Sequence, residues 1–228
     1  VPINDFFGVA STTSPDAIGW SKSKSEEYSA PISSGTSTVG RMSPPTGLIA
    51  WYQAEGNAND AAGNNDGTMQ GGATFSNSKP GLGQAFKFNG LNQFMRAPAT
   101  GLPTGSNART VAAWVNVNSF VAPEAFFVGY GAFGTFNAAY LLGAFSDGNP
   151  YFSQWGASIT GPRLQPGCWY HVAAKNVGNF VTLYVNGTPV MTGTLNINTS
   201  ASTDLYVGRV PGTLGDTRYL KGQVDEVQ

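Results

Sequence analysis

Cysteine and histidine are nearly absent from this sequence. Cys168 is the one cysteine in 228 residues, which excludes an intrachain disulfide and a cysteine-based metal site. The one histidine, His171, follows three residues later in a predicted strand, so the two side chains point to opposite faces. A reactive thiol–imidazole pair is therefore not expected, and a Ser-His-Asp triad would have to use a histidine in the middle of a strand.

Charge and long apolar runs are also scarce. Charged residues make up 11% of the chain, the net charge is −1, and the 12 basic residues are scattered, so nucleic-acid binding is not expected. No run reaches the roughly 18 apolar residues that a membrane-spanning helix requires. The chain begins at Val1 without a signal-peptide pattern, and we expect a mature or trimmed piece of a longer secreted product.

The residues that are abundant indicate an all-β protein. Hydrophobic residues make up 41%, enough for a core, and Gly, Ser, Thr and Asn dominate the polar fraction. Leu48–Tyr52 predicts a short strand with a buried aromatic side chain, and the Asn/Asp/Gly-rich loop 56–67 follows it. Residues 83–90 then alternate apolar and polar side chains before an Asn89-Gly90 turn. This order predicts the opening corner of a β-sandwich.

Later strands come at short intervals, with turn residues between them. In residues 110–117, small apolar side chains occupy one face and Trp114 the other. Trp114 is either a packing residue or part of a sugar-binding platform, and we expect core packing. Gly178-Asn179 and Asn186-Gly187 each predict a hairpin turn, since both dipeptides suit the positive φ angles that tight turns require.

Six segments in order resemble one known family. They are Leu48–Gly90, Thr110–Val115, Gly167–Ala173, Val181–Gly187, Leu205–Arg209 and Gly222–Val227. Together they resemble the bacterial laminin-G-like (LamG) domains of the concanavalin A-like lectin/glucanase superfamily, over roughly residues 47 to 228. The resemblance implies an antiparallel jelly-roll β-sandwich of two sheets, a fold that hosts many functions.

The first 46 residues do not match that family. The composition of residues 1–46 predicts a Ser/Thr/Pro-rich arm or linker, and the sandwich domain 47–228 follows it. An arm stays ordered only when it docks, either on its own domain or on a neighbouring subunit's sheet edge. Four apolar side chains could supply the contacts for strand addition, namely Ile3, Phe6, Phe7 and Val9.

The segment 125–155 is rich in aromatic residues and departs most from the family pattern. These side chains either pack in the core and at sheet edges or present flat faces to a ligand. Under the second interpretation, the carbohydrate-binding residues are Tyr140, Tyr151 and Trp155, because the apolar faces of sugar rings stack on aromatic rings.

The carboxylates do not form a catalytic pattern. A glycoside hydrolase needs two of them, and glucanases that resemble this fold carry several acidic residues at alternate positions of one strand. Here Glu55 and Glu124 stand alone, and Asp225 and Glu226 point to opposite faces of a strand. We therefore predict that the protein is not an enzyme.

Calcium is the metal that the sequence favours as a structural cofactor. Asn57 to Asp66 form an oxygen-rich loop, and oxygen atoms are the ligands that calcium prefers. The resemblance implies a calcium held by an aspartate on the final strand, a position that Asp225 matches. We predict Asp60 and Asp225 as ligands, although Asp60 could equally cap a turn.

These observations predict a non-catalytic recognition module, carbohydrate-binding or adhesive, that is extracellular or on a bacterial cell surface. Its partner would be a glycan or another cell-surface polymer. The alternative is a structural subunit of a self-assembling extracellular filament, sheath or surface layer, in which the arm docks on a neighbouring copy.

Overall fold

A computed structural model describes residues 46–120, 124–202, 204–211 and 218–228. In these residues the chain forms fourteen β-strands and no helix. Consequently, no helix in this part of the chain is long and apolar enough to cross a membrane. The predicted arm residues Ile3, Phe6, Phe7 and Val9 lie outside the described residues.

The strands are listed in chain order: β1 (Thr68–Gln70), β2 (Thr74–Asn77), β3 (Gln84–Asn89), β4 (Phe94–Pro98), β5 (Arg109–Val117), β6 (Glu124–Gly131), β7 (Ala139–Phe145), β8 (Pro150–Ser153), β9 (Ser158–Thr160), β10 (Trp169–Val177), β11 (Phe180–Val185), β12 (Thr188–Thr194), β13 (Asp204–Val207) and β14 (Lys221–Asp225). Seven of them form sheet I, in the order β1-β4-β13-β6-β7-β8-β9, and the other seven form sheet II, in the order β12-β11-β10-β5-β14-β3-β2. Every pairing is antiparallel. The predicted all-β antiparallel sandwich is confirmed.

The core lies between the two sheets and is built by alternation along the strands. In β5, Ala113, Val115 and Val117 are buried in the core, as the period of two predicts. Trp114 points to the opposite, outer face of sheet II, where its ring lies 5.4 Å from that of His171 on the neighbouring strand β10. The expectation that Trp114 packs in the core is therefore wrong.

Three turns lie where dipeptides predicted them. Gly178-Asn179 joins β10 to β11, and Asn186-Gly187 joins β11 to β12. Asn186 and Gly187 have φ angles of 50° and 77°, so both adopt the left-handed conformation that a tight hairpin turn requires. Asn89 ends β3, and Gly90 follows it with a φ of 78°.

The opening corner differs from its prediction in one respect. Leu48–Tyr52 does not form a full strand, because Tyr52 makes only single bridges to Val227 and Asp60. The buried aromatic is Tyr52, whose side chain is 1% exposed and whose hydroxyl donates a hydrogen bond to the Asn65 carbonyl. The first residues of the sandwich are thus anchored to its last ones.

Candidate functional site

The outer face of sheet I carries a second, smaller apolar cluster. Because side chains alternate along β6, β7 and β8, three of them point away from the main core, namely Phe126, Leu141 and Tyr151. They are buried together with Ala139 and Val210, and Phe133, Phe145 and Trp155 pack over them. An aromatic layer therefore covers this face of the sandwich.

Tyr140 does not present a face to solvent. It points into the main core and is 1% exposed, and its hydroxyl donates a hydrogen bond of 3.2 Å to the Ala174 carbonyl. The Arg109 guanidinium lies 4.4 Å from its ring centroid, and burial raises the pKa of the Tyr140 hydroxyl. The expectation that Tyr140 stacks on a sugar is wrong, because alternation along β7 turns this ring inward.

Tyr151 is also buried, although it lies on the outer face. Its ring stacks 4.3 Å from Phe145 and contacts Phe126 edge-on at 6.1 Å, which leaves it 1% exposed. Burial raises the pKa of its hydroxyl, and the Glu124 carboxylate raises it further. Tyr151 therefore forms the floor of the aromatic layer, and the expectation of an exposed stacking face is wrong for this residue as well.

Trp155 is the predicted residue that reaches the surface of this layer. It is partly exposed, and its ring centroid lies 4.1 Å from that of Phe133. Its backbone is left-handed, with a φ of 66°, a conformation that costs a non-glycine residue of order 1–3 kcal/mol. Two hydrogen bonds hold it there: Asn137 N–H donates to the Trp155 carbonyl at 2.8 Å, and Trp155 N–H donates to Ser153 Oγ at 3.1 Å.

Phe136 lies beside Trp155 and is not among the predicted site residues. Its side chain is 76% exposed, and a Cβ at Gly156 would be 2.6 Å from its Cδ1 atom, so the ring lies directly against that glycine. The next residue, Asn137, also has a left-handed backbone, with a φ of 66°. Phe136 lies in a loop between β6 and β7, and no sequence period signals the exposure of a loop residue.

Two concave regions meet at Phe136. The first, which we call the aromatic pocket, has a volume of about 360 Å³ and is lined by Phe136, Trp155 and Phe133 over the buried layer, with Glu124, Ser153 and Ser158 among its polar residues. The second, which we call the amide groove, has a volume of about 600 Å³. Its polar lining is uncharged: Thr104, Ser106, Asn107, Asn137, Asn179, Asn196 and Asn198.

One negative and one positive side chain lie at the aromatic pocket, and they form an ion pair. Glu124 is the one acidic side chain among its described lining residues, and Arg218 Nε binds Glu124 Oε1 at 2.8 Å. The same guanidinium lies 5.0 Å from the Phe133 ring and 5.9 Å from the Trp155 ring. The pocket thus combines aromatic walls, hydroxyl groups and a compensated ion pair.

Comparison with known proteins places the chain in a family. A laminin-G family model described as the concanavalin A-like lectin/glucanases superfamily matches residues 89–228. The chain belongs to this superfamily. No curated protein matches it in sequence.

Solved structures with this superfamily's sandwich include carbohydrate-related proteins. Domain 4 of AbnA, a GH43 extracellular arabinanase from Geobacillus stearothermophilus solved with arabinotriose, is similar with a TM-score of 0.61 and 21% identity, over 79% of this chain and 90% of that one. Trypanosoma rangeli sialidase is similar with a TM-score of 0.58 and 18% identity, over 81% of this chain. The chain spans 30% of that sialidase. At these identities the similarity shows the fold alone.

Asp60 is the first of the two predicted calcium ligands. Its Oδ1 atom accepts hydrogen bonds from the backbone N–H groups of Trp51, Ala62 and Gly63 at 2.9 to 3.0 Å, and Oδ2 accepts one from Asn65 at 3.2 Å. Four donors thus engage a carboxylate that is 7% exposed. Asp60 does not fit a calcium ligand, because its oxygens organise the backbone of loop 56–67.

Asp225 has a different environment, in which its carboxylate has fewer hydrogen-bond donors than that of Asp60. Its carboxylate is fully buried and accepts hydrogen bonds from the Ser78 hydroxyl and the Glu226 N–H. Its pKa is raised to about 7, chiefly by burial and also by the nearby Glu226 and Glu55 carboxylates. In the described part of the chain, however, no group of three or more His, Cys, Asp or Glu side chains is arranged to hold a metal ion. Any cation at Asp225 would therefore need serine or backbone oxygens as further ligands.

Proposed function

We propose that the protein is a non-catalytic carbohydrate-binding module that binds a glycan at the aromatic pocket. The observation that carries the proposal is the exposed ring of Phe136 beside Trp155, whose backbone is held in a left-handed conformation. Strained backbone of this kind is retained at binding sites because it fixes the orientation of a side chain before the ligand arrives. The two rings are thus available to a ligand without reorganisation of the sheet.

The chemistry of the pocket suits a sugar. The apolar C–H face of a pyranose or furanose ring packs on an aromatic ring, and hydroxyl groups at its edge need hydrogen-bonding partners. Phe136 and Trp155 supply the apolar surface, while Ser153, Ser158 and the Glu124–Arg218 pair supply donors and acceptors at its border. A volume of about 360 Å³ accommodates one or two sugar residues rather than a folded partner.

The arrangement of acidic groups supports binding rather than hydrolysis. Glycoside hydrolysis uses two carboxylates that flank the scissile bond. Glu124 is the one described acid that lines the pocket, and its carboxylate is engaged in an ion pair with Arg218. The similar arabinanase domain, solved with arabinotriose, supports a glycan as ligand and an extracellular or bacterial cell-surface location for this protein.

The test compares two exposed phenylalanines. Phe136→Ala removes the ring at the pocket, and Phe180→Ala removes a ring that is 51% exposed on β11 of sheet II. A glycan identified on an array with the wild-type chain would be titrated into each variant by isothermal titration calorimetry. We expect Phe136→Ala to weaken binding by about tenfold or more, because stacking is worth roughly 0.5–1.5 kcal/mol beyond the area buried, and Phe180→Ala to have no effect. Equal affinities for both variants would refute the assignment of the pocket.

The filament or surface-layer alternative stays a prediction. It depends on Ile3, Phe6, Phe7 and Val9, which lie outside the described residues. The size of the particle in solution, measured for the full chain and for a chain without residues 1–46, would test it.

We also propose a structural calcium at Asp225, without Asp60. The buried carboxylate, with Glu226 and Glu55 nearby, concentrates negative charge that a divalent cation would compensate. Such a cation would brace β14 against Ser78 and would not touch the aromatic pocket.

A further inference from the structure

The buried guanidinium group of Arg109 lies next to the loop that lines the amide groove. Arg109 is 9% exposed, and its guanidinium donates hydrogen bonds to the carbonyls of Pro103 and Gly105 and to Thr199 Oγ1. Its Nε–H has no partner, and Arg109 takes part in neither ion pair of the described residues. The positive charge is therefore solvated by neutral oxygens and is not cancelled by a carboxylate in the described part of the chain.

Four carbonyl groups of the loop next to Arg109 accept hydrogen bonds from buried side chains. Pro103 and Gly105 accept from Arg109, and the carbonyls of Ser106 and Asn107 accept from the side-chain amide of buried Asn176. In a trans peptide the N–H group points opposite to the carbonyl of the same unit. The N–H groups of Thr104 and Ser106 therefore point away from Arg109, and neither donates a hydrogen bond to an acceptor among the described residues.

The side chains around these N–H groups add no negative charge. The lining of the amide groove consists of Asn, Ser, Thr and Gly residues with Phe136 and Ile197, so none of its described members is charged. Asn107, Asn196 and Asn198 are exposed, and their amides can donate hydrogen bonds to a ligand. Free N–H groups near a guanidinium that no described carboxylate neutralises favour a positive potential in this groove, although none of its described lining residues is a cation.

We propose that the amide groove binds the negatively charged substituent of an acidic sugar residue, whose ring stacks on Phe136 at the border with the aromatic pocket. The proposal rests on the carbohydrate-binding function proposed above and specifies its ligand class as an anionic glycan, carrying a carboxylate or a sulfate. Free N–H groups and side-chain amides bind such oxygens, while the buried charge favours an anion over a neutral hydroxyl group. Phe136 belongs to both concave regions, so one sugar residue can contact both.

The test uses anionic sugars, their neutral parents and an isosteric charge change. Glucuronate, galacturonate and galactose 6-sulfate would be titrated separately into the ¹⁵N-labelled full chain, next to glucose and galactose. Asn107→Asp places a negative charge at the groove without changing the shape of the side chain. Asn118→Asp makes the same change at an exposed position outside the groove lining and serves as the control.

We expect at least one anionic sugar to shift the backbone amide signals of Thr104 and Ser106, and to bind about tenfold more tightly than its neutral parent. Asn107→Asp should abolish that preference and Asn118→Asp should keep it. If no anionic sugar is preferred, or if Asn107→Asp leaves the preference intact, the inference is wrong. If neutral sugars still bind and Phe136→Ala weakens that binding, the proposed carbohydrate-binding function is supported without the anion preference. If an anionic sugar binds equally well to Phe136→Ala, the aromatic pocket is not part of the site, and the anion binds at the amide groove alone.

Discussion

The buried carboxyl group of Asp225 predicts how the stability of the protein depends on pH. Its carboxyl group is fully buried, and its pKa rises from 3.8 to about 7, chiefly because burial disfavours the charged form. The folded state therefore holds a proton that the unfolded state has released. The free energy of unfolding should fall as the pH rises from about 4 to about 7 and then stay low, by an amount on the order of 4 kcal/mol for a shift of this size.

The substitution Asp225→Asn removes this ionisation. An asparagine amide can still accept from the Glu226 N–H and can pair with the Ser78 hydroxyl, so both contacts of the carboxylate have a counterpart. In a buffer with chelator at pH 8, the variant should be more stable than the wild type by a few kcal/mol. Near pH 4 the two should be nearly equal, since the wild-type group is then protonated in the folded state.

The assay is chemical denaturation followed by tryptophan fluorescence, at several pH values from 4 to 8. Adding calcium at pH 8 should raise the stability of the wild type and leave Asp225→Asn unchanged, because the cation would compensate the buried charge. A wild-type stability that rises between pH 4 and 7 in chelator would refute the electrostatic reasoning. A calcium response that is equal in both proteins would refute the metal proposal.

The two remaining predictions concern the scaffold. Asp60→Ala should lower the free energy of unfolding by about 3 kcal/mol, because four backbone N–H donors lose a charged acceptor. Asn64→Ala, which changes an exposed residue of the same loop, should alter the free energy of unfolding little. Equal effects of the two substitutions in thermal melts would contradict the role given to Asp60. Gly208→Ala should cost about 2 kcal/mol more than Gly101→Ala, since both have left-handed φ angles near 80° but only the first would place a Cβ 2.5 Å from the Phe88 ring. Equal losses for the two glycine variants would contradict the packing argument.

Several strands could be predicted because their sequence signals are local. Residues 110–117 alternate with a period of two, and Asn186-Gly187 requires a conformation that few other dipeptides adopt. These signals are independent of tertiary structure, which explains why the strands β5, β10 and β11 and their turns agree with the prediction. The strand predicted at Leu48–Tyr52 does not form, because single bridges from Tyr52 to Val227 and Asp60 replace a full ladder.

The site was harder to predict, because β6, β7 and β8 are apolar on both faces. In such strands, alternation cannot tell the core from an outer aromatic layer, so neither the inward position of Tyr140 nor the cover over Tyr151 could be derived. The exposure of Phe136 depends on a loop conformation fixed by contacts with Trp155 and Gly156, which are distant in sequence. Asp60 was recognised as an oxygen donor, but its backbone partners become visible only once the loop is folded.

The most direct test of the central claim is an NMR titration of the glycan ligand that follows the indole N–H signals of the tryptophans. Trp155→Phe would assign the signal of the residue at the pocket. The account predicts that the glycan shifts the Trp155 signal and leaves those of Trp114 and Trp169, on sheet II, unchanged. A ligand that shifts Trp114 or Trp169 instead would move the binding site to the opposite sheet and contradict the account.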